Sequence, residues 1–464
     1  MAKPRTLGEL RKSGYQVLSV KEELRKNLIR RLSESTPLFP GIIGYEDTVI
    51  PQVENAILSG QDIIFLGERG QAKTRIARSL IGLLDDEIPI IEGSEINDNP
   101  YDPISAYGRK RAAEMGDDLP ITWIPREARY GEKLATPDIT IADLIGEIDP
   151  IKVAEGRYLS DEETIHYGLI PRTNRGVFVI NELPDLAERI QVGLLNILEE
   201  RDVQIRGHKI RLPLDVFLVA SANPEDYTNR GRIITPLKDR AGSQIRTHYP
   251  RTIEHEIAIM EQERMAFAED GIEVTIPPYM KEIVAELTHL ARKHPDISQR
   301  SGVSVRVSVA NYENLISNAV KRAIRLGEKS AAPRISDLPA LVASTAGKIE
   351  LEAVGETKEE RVIEKLMQGA ILAVFNRRFA VQEFEDLLQR FSNGMSLEAS
   401  DTLGSMEYVH KLAEIKSLKA AVAKLNAQGN PAVVASAVEF ILEGLHLNRR
   451  LNKDKAHGAT RYRR

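Results

Sequence analysis

The chain has 464 residues, of which 42% are hydrophobic, 28% charged and 5% aromatic, with no cysteine. At ~100–200 residues per domain that length predicts two to four domains, and the missing thiols exclude disulfide scaffolds, cysteine-ligated metal sites and cysteine nucleophiles. Sixty-three Lys and Arg against 68 Asp and Glu leave a formal charge of −5, so no global basic field points to nucleic acid.

In chain order, MAKPRTLGEL has no apolar segment of secretory type behind it, and no run approaches the ~18–20 apolar residues of a membrane helix. The expectation is a soluble, cytoplasmic, multidomain protein. Residues 1–38 read as an N-terminal helical segment, with the helix in SVKEELRKNLIRRL (19–32). Pro37, Pro40, Gly41 and Gly44 then break it and mark a boundary. From 39 to 250 short apolar runs alternate with amphipathic stretches. DIIFLG (62–67), GVFVINEL (176–183) and DVFLVASAN (215–223) are short, β-branched and continuous, the pattern of strands buried on both faces of a parallel sheet. KTRIARSLIGLL (73–84) and LAERIQVGLLNILEE (186–200) follow two of them as helices. The alternation predicts an α/β domain. Residues 251–350 carry helical spacing and read as a smaller helical domain, and 351–446 as a C-terminal helical domain. The basic tail, 447–464, lacks apolar periodicity and reads as a disordered end. No internal repeat is present.

The strand DIIFLG leads into GERGQAKT (Gly67, Glu68, Arg69, Gly70, Gln71, Ala72, Lys73, Thr74) and then a helix. This is the P-loop pattern G-x-x-x-x-G-K-[ST] with Ala72 in place of the second glycine. Gly67 and Gly70 let backbone N–H groups curl around a phosphate. Ala72, at the start of the helix, is expected at negative φ, where a methyl fits. Lys73 would reach the β- and γ-phosphates of ATP and Thr74 would place its hydroxyl on Mg²⁺. A second acidic position belongs at the end of a neighbouring strand. There GVFVINEL supplies Asn181, an acceptor without charge where Asp is usual for the metal, and Glu182, a candidate base for the attacking water. The third strand ends at Asn223 in SANPEDY, placed to orient that water, and Arg240 follows in ITPLKDR.

Taken together, FPGIIGYEDT, GERGQAKT, ATPDITIADLIGEID…GLIPRTNRGVFVINELPDL, SANPEDY, PLKDR and SVRVSVAN resemble, in order and spacing over roughly 38–345, an AAA+ ATPase of the MoxR/magnesium-chelatase I-subunit group. The resemblance implies an α/β architecture: a parallel-sheet P-loop AAA+ core (39–250), a helical lid (251–350) and a helical C-terminal extension. Ile43 and Gly44 would line the adenine pocket. Lys73 and Thr74 would hold phosphates and Mg²⁺, and Glu182 would activate water. Asn223 would be sensor 1, Arg306 sensor 2 on the lid, and Arg240 an arginine finger acting on a neighbouring subunit of a ring, expected to be a hexamer. LIGEID (144–149) would open an insertion in helix 2, and RDVQIRGHKIRLPLDV (201–216) would be the pre-sensor hairpin. The chain departs from the group at Asn181, where Asp is usual, and at Ala241, where an aromatic residue usually follows the finger. Arg246 is the fallback finger.

Four functions remain open from the sequence. The first is an ATP-driven remodelling motor of MoxR type, a chaperone-like ring acting on a partner with a von Willebrand A domain. The second is the ATPase subunit of magnesium chelatase in tetrapyrrole synthesis. The third is a DNA-acting AAA+ protein, disfavoured because the Gly-Ala-Phe-Thr-Gly-Ala loop of enhancer-binding activators is missing. The fourth is a nucleotide-binding scaffold with slow hydrolysis, motivated by Asn181. The nine histidines show no metal-ligand spacing, His289 and His294 being five apart on a helix. No G-x-S-x-G elbow anchors a serine hydrolase. Trp123, the single Trp, is expected to be buried, with a partner contact as the alternative.

Overall fold

The computed structural model describes residues 3–154, 164–199, 212–223, 231–266, 271–298, 301–352, 356–412, 415–456 and 459–464. They fall into two compact units that divide between His248 and Tyr249.

The first unit opens with α1 (Leu7–Lys12), α2 (Val20–Ser33) and α3 (Val49–Leu58). Then come β1 (Ile63–Leu66), α4 (Lys73–Ser79), β2 (Glu87–Ile91), α5 (Ala106–Met115), β3 (Ile121–Pro125) and β4 (Tyr130–Leu134). The chain continues through α6 (Ile141–Leu144), β5 (Gly146–Ile148), α7 (Pro150–Ala154), β6 (Ile165–Tyr167) and α8 (Leu169–Arg172). It closes with β7 (Gly176–Asn181), α9 (Glu188–Glu199), β8 (Val216–Ala222), α10 (Thr235–Arg240) and β9 (Ser243–Arg246). Five of these strands form one sheet in the order β4-β7-β8-β1-β9, every neighbouring pair parallel. The register sets Ile63 beside Val219 and Ser243, and Leu134 beside Asn181.

Alternation along each strand divides the core in two. Val177, Val179, Phe217, Val219, Ile63 and Phe65 face one side, where Leu24 and Leu28 of α2, Val53 of α3 and Ile76 of α4 cover them. Phe178, Ile180, Leu218, Ala220 and Ile64 face the other, against Ile190 and Leu194 of α9 and Leu237 of α10. Both faces are therefore dry, which is why the three predicted strands read as unbroken apolar runs. The N-terminal segment is no appendage: α2 contributes Val20, Leu24 and Leu28 to this core. It is entered by a capping box between Ser19 and Glu22. Glu23 of α2 pairs with the guanidinium of Arg129 (Nη1 to Oε1 2.8 Å), side chains 3% and 1% exposed. Arg129 also donates to Arg175 O at 2.7 Å. β2 and β3 pair antiparallel, and half-buried Trp123 on β3 donates from Nε1 to Pro4 O (2.9 Å) with its ring edge-on to Tyr15. β5 and β6 pair antiparallel and bracket α7, where the helix-2 insertion was expected. Residues 155–163 of that insertion and 201–211 of the expected hairpin, His208 included, lie outside the described residues.

In the second unit α11 (Ile253–Glu263), β10 (Glu273–Val274), α12 (Pro278–Ala291), α13 (Val305–Leu326), β11 (Ser330–Ala331) and α14 (Val342–Thr345) come first. α15 (Glu356–Arg378), α16 (Glu385–Ser392), β12 (Leu397–Ala399), α17 (Ser405–Leu412), α18 (Lys416–Lys424) and α19 (Pro431–Leu447) follow. The chain ends in β13 (Asn452–Ala456) and β14 (Ala459–Arg463). Every residue of α19 from Ala432 to Leu445 is buried, its two carboxylates included, Glu439 accepting from the Tyr408 hydroxyl (2.7 Å) and Glu443 from Lys453 (2.8 Å). One core joins Met280 and Ile283 of α12, Leu315 of α13, Ile363 and Phe375 of α15 and Phe440 of α19. The expected division at 350/351 therefore runs through a single core, because α15 packs back on α12.

The tail expectation is also corrected. β14 is the middle strand of a three-stranded antiparallel sheet, paired with β12 and β13. Tyr462 is 2% exposed, and its hydroxyl bonds to Glu443. The strand has a period of two, Tyr462 buried between exposed Arg461 and Arg463, and periodicity at 3.6 could not detect it. No helix among the described residues is long and apolar enough to cross a membrane.

Candidate functional site

The parallel strands β1, β7 and β8 stop together, at Leu66, Asn181 and Ala222, so the residues that end or follow them share one crevice beyond the carboxyl edge of the sheet. From Leu66 the chain turns through 67–72 into α4. Gly67 N bonds to Ala222 O at 3.1 Å. A Cβ on Gly67 would overlap Thr247 Oγ1 and Gln71 Oε1, so only glycine lets the loop pass. Thr247 Oγ1 donates to Gln71 Oε1 (2.7 Å), and the Tyr45 hydroxyl lies 3.0 Å from Gln71 O and 2.7 Å from His248 O. Burial pushes the Tyr45 phenol up to about 12, which keeps it a donor. Ile43 and Gly44, expected at the adenine, are half-buried and immediately precede this tyrosine.

Lys73 is 8% exposed. Its ammonium donates to Gly67 O, to Glu68 O (2.7 Å) and to Asn223 Oδ1 (2.7 Å). A phosphate oxygen would compete for the same protons. Thr74 Oγ1 donates to Asn181 Oδ1 at 3.2 Å, and Ser221 Oγ donates to the same oxygen at 3.1 Å. Lys73 thus contacts Asn223, 150 positions further on, and its chain neighbour Thr74 contacts Asn181. Glu68 and Gly70 are half-buried and Arg69 exposed on the loop.

Glu182 follows β7 with φ 56° and ψ 44° and donates its N–H toward Ser221 Oγ (3.3 Å). A glutamate in this left-handed conformation is strained, and its side chain is half-buried.

One expectation about the loop is wrong. Ala72 has φ 56° and ψ 13°, not a negative φ. The methyl sits where the second glycine of the pattern would be free of strain. The loop keeps the turn a glycine would make, and alanine carries it at a cost of roughly 1–2 kcal/mol.

Sequence reasoning missed Glu132, Arg78, Tyr130 and Ser221. Glu132 lies on β4, two residues before the register partner of Asn181. Arg78 grips its carboxylate at both oxygens (2.7 and 2.9 Å), the Tyr130 hydroxyl donates to it at 2.7 Å, and Asn181 Nδ2 donates at 2.7 Å. Arg78's hydrogen bonds, joined by those from Tyr130 and Asn181 and opposed by partial burial, hold Glu132 below the usual carboxylate range. β4 is half-exposed, and fully exposed at Leu134, so YGEKL shows neither an apolar run nor an apolar/polar alternation, and the sequence offered no signal for it.

Three further candidates are Arg240, Arg246 and Arg306. Arg240 ends α10, exposed, with Nη1 donating to Pro236 O at 3.4 Å. Ala241 after it is buried in the core. Arg246 is exposed at the end of β9, beside Leu66. Arg306 belongs to the second unit, exposed at the second position of α13.

The donor set of Thr74 and Asn181 is all oxygen, which fits a hard, hydrated cation such as Mg²⁺ arriving with phosphates. Among the described residues, no group of three or more His, Asp or Glu is placed to hold a metal without such a ligand.

The model of the Sigma-54 interaction domain matches residues 153–237. The chain is 24% identical over 334 residues to the magnesium-chelatase subunit ChlI of Nephroselmis olivacea, covering 67% of this chain and 88% of that one. It is 26% identical over 236 residues to the magnesium-chelatase 38 kDa subunit of Rhodobacter capsulatus, covering 50% and 62%. Against the chloroplastic ChlI of Oryza sativa subsp. indica, identity is 28% over 253 residues, covering 50% and 54%, so the chain spans little more than half of some of these relatives. Among solved structures it is similar to the cryo-EM complex of the magnesium-chelatase subunits BchI and BchD (20% identity, 70% of this chain, 98% of that one, TM-score 0.36). It is likewise similar to NtrX from Brucella abortus (17% identity, 75% and 66%, TM-score 0.38).

Proposed function

We propose that this chain, an AAA+ ATPase related to the magnesium-chelatase I subunits, binds and hydrolyses ATP in an oligomeric ring to remodel or activate a partner protein, one carrying a von Willebrand A domain. The observation that carries the ATPase reading is the meeting of Lys73, Thr74, Asn181 and Asn223 at the ends of β1, β7 and β8. In this reading the phosphates of ATP lie against the loop 67–72 and the start of α4, with Ile43 and Gly44 at the adenine. Lys73 gives up loop carbonyls for phosphate oxygens. Thr74 and Asn181 would hold Mg²⁺, whose chemistry is to neutralise charge on the β- and γ-phosphates. Asn223 orients the attacking water and Glu182 accepts its proton as the new P–O bond forms and the bond to the β-phosphate oxygen breaks. Arg240 acts on the γ-phosphate of a neighbouring subunit, with Arg246 as the fallback, and Arg306 serves as sensor 2.

The test is steady-state ATP turnover by the full chain at concentrations that span assembly, followed by light scattering. Glu182→Gln is expected to lower turnover at least ~10²-fold and to preserve binding of a fluorescent ADP analogue. Arg240→Ala is expected to abolish turnover and spare binding. Equal near-zero rates in wild type and Glu182→Gln would leave a nucleotide-binding scaffold, the second reading, which the uncharged Asn181 favours. Subunit I of magnesium chelatase is the alternative role for an active enzyme; stimulation by a von Willebrand A protein without change in porphyrin metallation would separate them. The Sigma-54 match covers strands common to AAA+ sheets, and the chain lacks the Gly-Ala-Phe-Thr-Gly-Ala loop, which weighs against a transcription activator.

A further inference from the structure

Asn181 stands where a single carboxylate would both face the metal and carry the charge. An amide has two unlike ends, and only one of them can serve a cation. Here Nδ2 donates to Glu132 Oε1 at 2.7 Å, and Oδ1 faces Thr74 and Ser221 at 3.2 and 3.1 Å. A carboxylate only accepts. Turned the other way, the amide would set its oxygen against the Glu132 oxygen at that same separation and its NH₂ toward the cation. Glu132 itself cannot swing aside, because Arg78 binds both its oxygens and the Tyr130 hydroxyl binds one. Arg78 lies one turn beyond Thr74 on α4, so the chain of contacts closes: Thr74 to Asn181, Asn181 to Glu132, Glu132 to Arg78, and Arg78 back along the helix to Thr74.

We propose that Glu132 is a positioning residue for the Mg²⁺ site, locking the Asn181 amide with its oxygen toward the cation and dividing between two strands the work that one aspartate would do. The proposal rests on the ATPase reading above. It also explains why an asparagine is found at 181: with Glu132 in place, an aspartate there would bring two carboxylates into contact.

The experiment is a double-mutant cycle on the full chain, with affinity for a fluorescent ADP analogue measured across a Mg²⁺ titration and again in EDTA. Glu132→Gln is expected to raise the Mg²⁺ concentration for half-maximal effect about tenfold or more, the usual cost of losing a group that orients a metal ligand, and to leave the EDTA affinity within about twofold. Asn181→Asp alone is expected to weaken Mg²⁺ dependence as well. Combined with Glu132→Gln, it is expected to return to within about threefold of wild type, since the new amide can donate to the new carboxylate. A role for Glu132 in stability alone predicts no such rescue. An unchanged Mg²⁺ titration in folded Glu132→Gln, or a combined variant no better than Asn181→Asp, overturns the proposal and leaves the ATPase reading intact. Wild type that binds no nucleotide, with or without Mg²⁺, overturns both. If loss of the Arg78 partner unfolds Glu132→Gln, the pair Arg78→Gln with Glu132→Gln replaces it, with the same shift expected.

Discussion

Ala72 offers the sharpest test of the loop geometry. Its φ of 56° and ψ of 13° place a methyl where the backbone favours glycine, a strain of roughly 1–2 kcal/mol. Ala72→Gly removes that strain. Against it stand about 0.4–1 kcal/mol of extra unfolded-chain entropy and the partial burial of the methyl against the α2–α4 core, at most about 0.8 kcal/mol. The terms nearly cancel. At about 2–4 °C per kcal/mol for a unit of this size, Ala72→Gly is expected to melt within about 4 °C of wild type by scanning calorimetry. Ala72→Val keeps the left-handed requirement and adds a branch at Cβ, for a further cost of about 2 kcal/mol, or about 4–8 °C. In the same samples the glycine variant should bind a fluorescent ADP analogue within about threefold of wild type, and the valine variant about tenfold more weakly as the loop N–H groups rotate away from the phosphates. A valine variant that melts and binds like wild type would refute the reasoning, because it would require Ala72 to sit at negative φ.

Three further outcomes concern the buried charges and packing. Glu23→Ala strands the Arg129 guanidinium in the core and is expected to cost about 3–5 kcal/mol in urea unfolding, with Arg129→Met added to it recovering most of the loss. In the second unit, burial raises the Glu256 carboxyl, but His289, Arg292 and Ser308 outweigh it and hold the pKa at about 2, below the ordinary 4.5. A depressed carboxylate stabilises fully above its unfolded pKa and loses that contribution as pH falls toward the folded one, so about 3 kcal/mol should disappear between pH ~4.5 and ~2. Urea midpoints across that window check it, and Glu256→Gln should flatten the profile. Gly444 on α19 has no room for a Cβ, which would overlap the Phe375 ring. Gly444→Ala should cost about 1–3 kcal/mol, and Phe375→Leu should relieve part of it in the double variant.

What the sequence disclosed depended on how completely each element is buried. β1, β7 and β8 are covered on both faces, and their apolar runs located them to within two residues. The loop between β1 and α4 was legible for the same reason, since its flanks were unambiguous. β4 and β9 sit at the edges of the sheet, where half-exposed strands alternate and short ones look like loops. Glu132 was hidden with β4: a charged residue on an unrecognised strand has no motif, and its importance comes only from register with Asn181. The sign of φ at Ala72 was misjudged because the residue was assigned to the start of the helix, whereas it still belongs to the turn. The separation of a lid from a C-terminal domain failed because periodicity reports which face of a helix is apolar and is silent about which other helix covers it.

Trp123 has a practical consequence. It is the sole indole in 464 residues, and it is fastened to the N-terminal segment through Pro4 O and Tyr15. Selective indole excitation therefore yields an optical signal from an indole that belongs to the first unit, sensitive to whether residues 3–15 are docked on β3. Far-ultraviolet dichroism sums both units. The difference between the two traces in one denaturation experiment separates the melting of the first unit from that of the second, with no dye and no engineered residue.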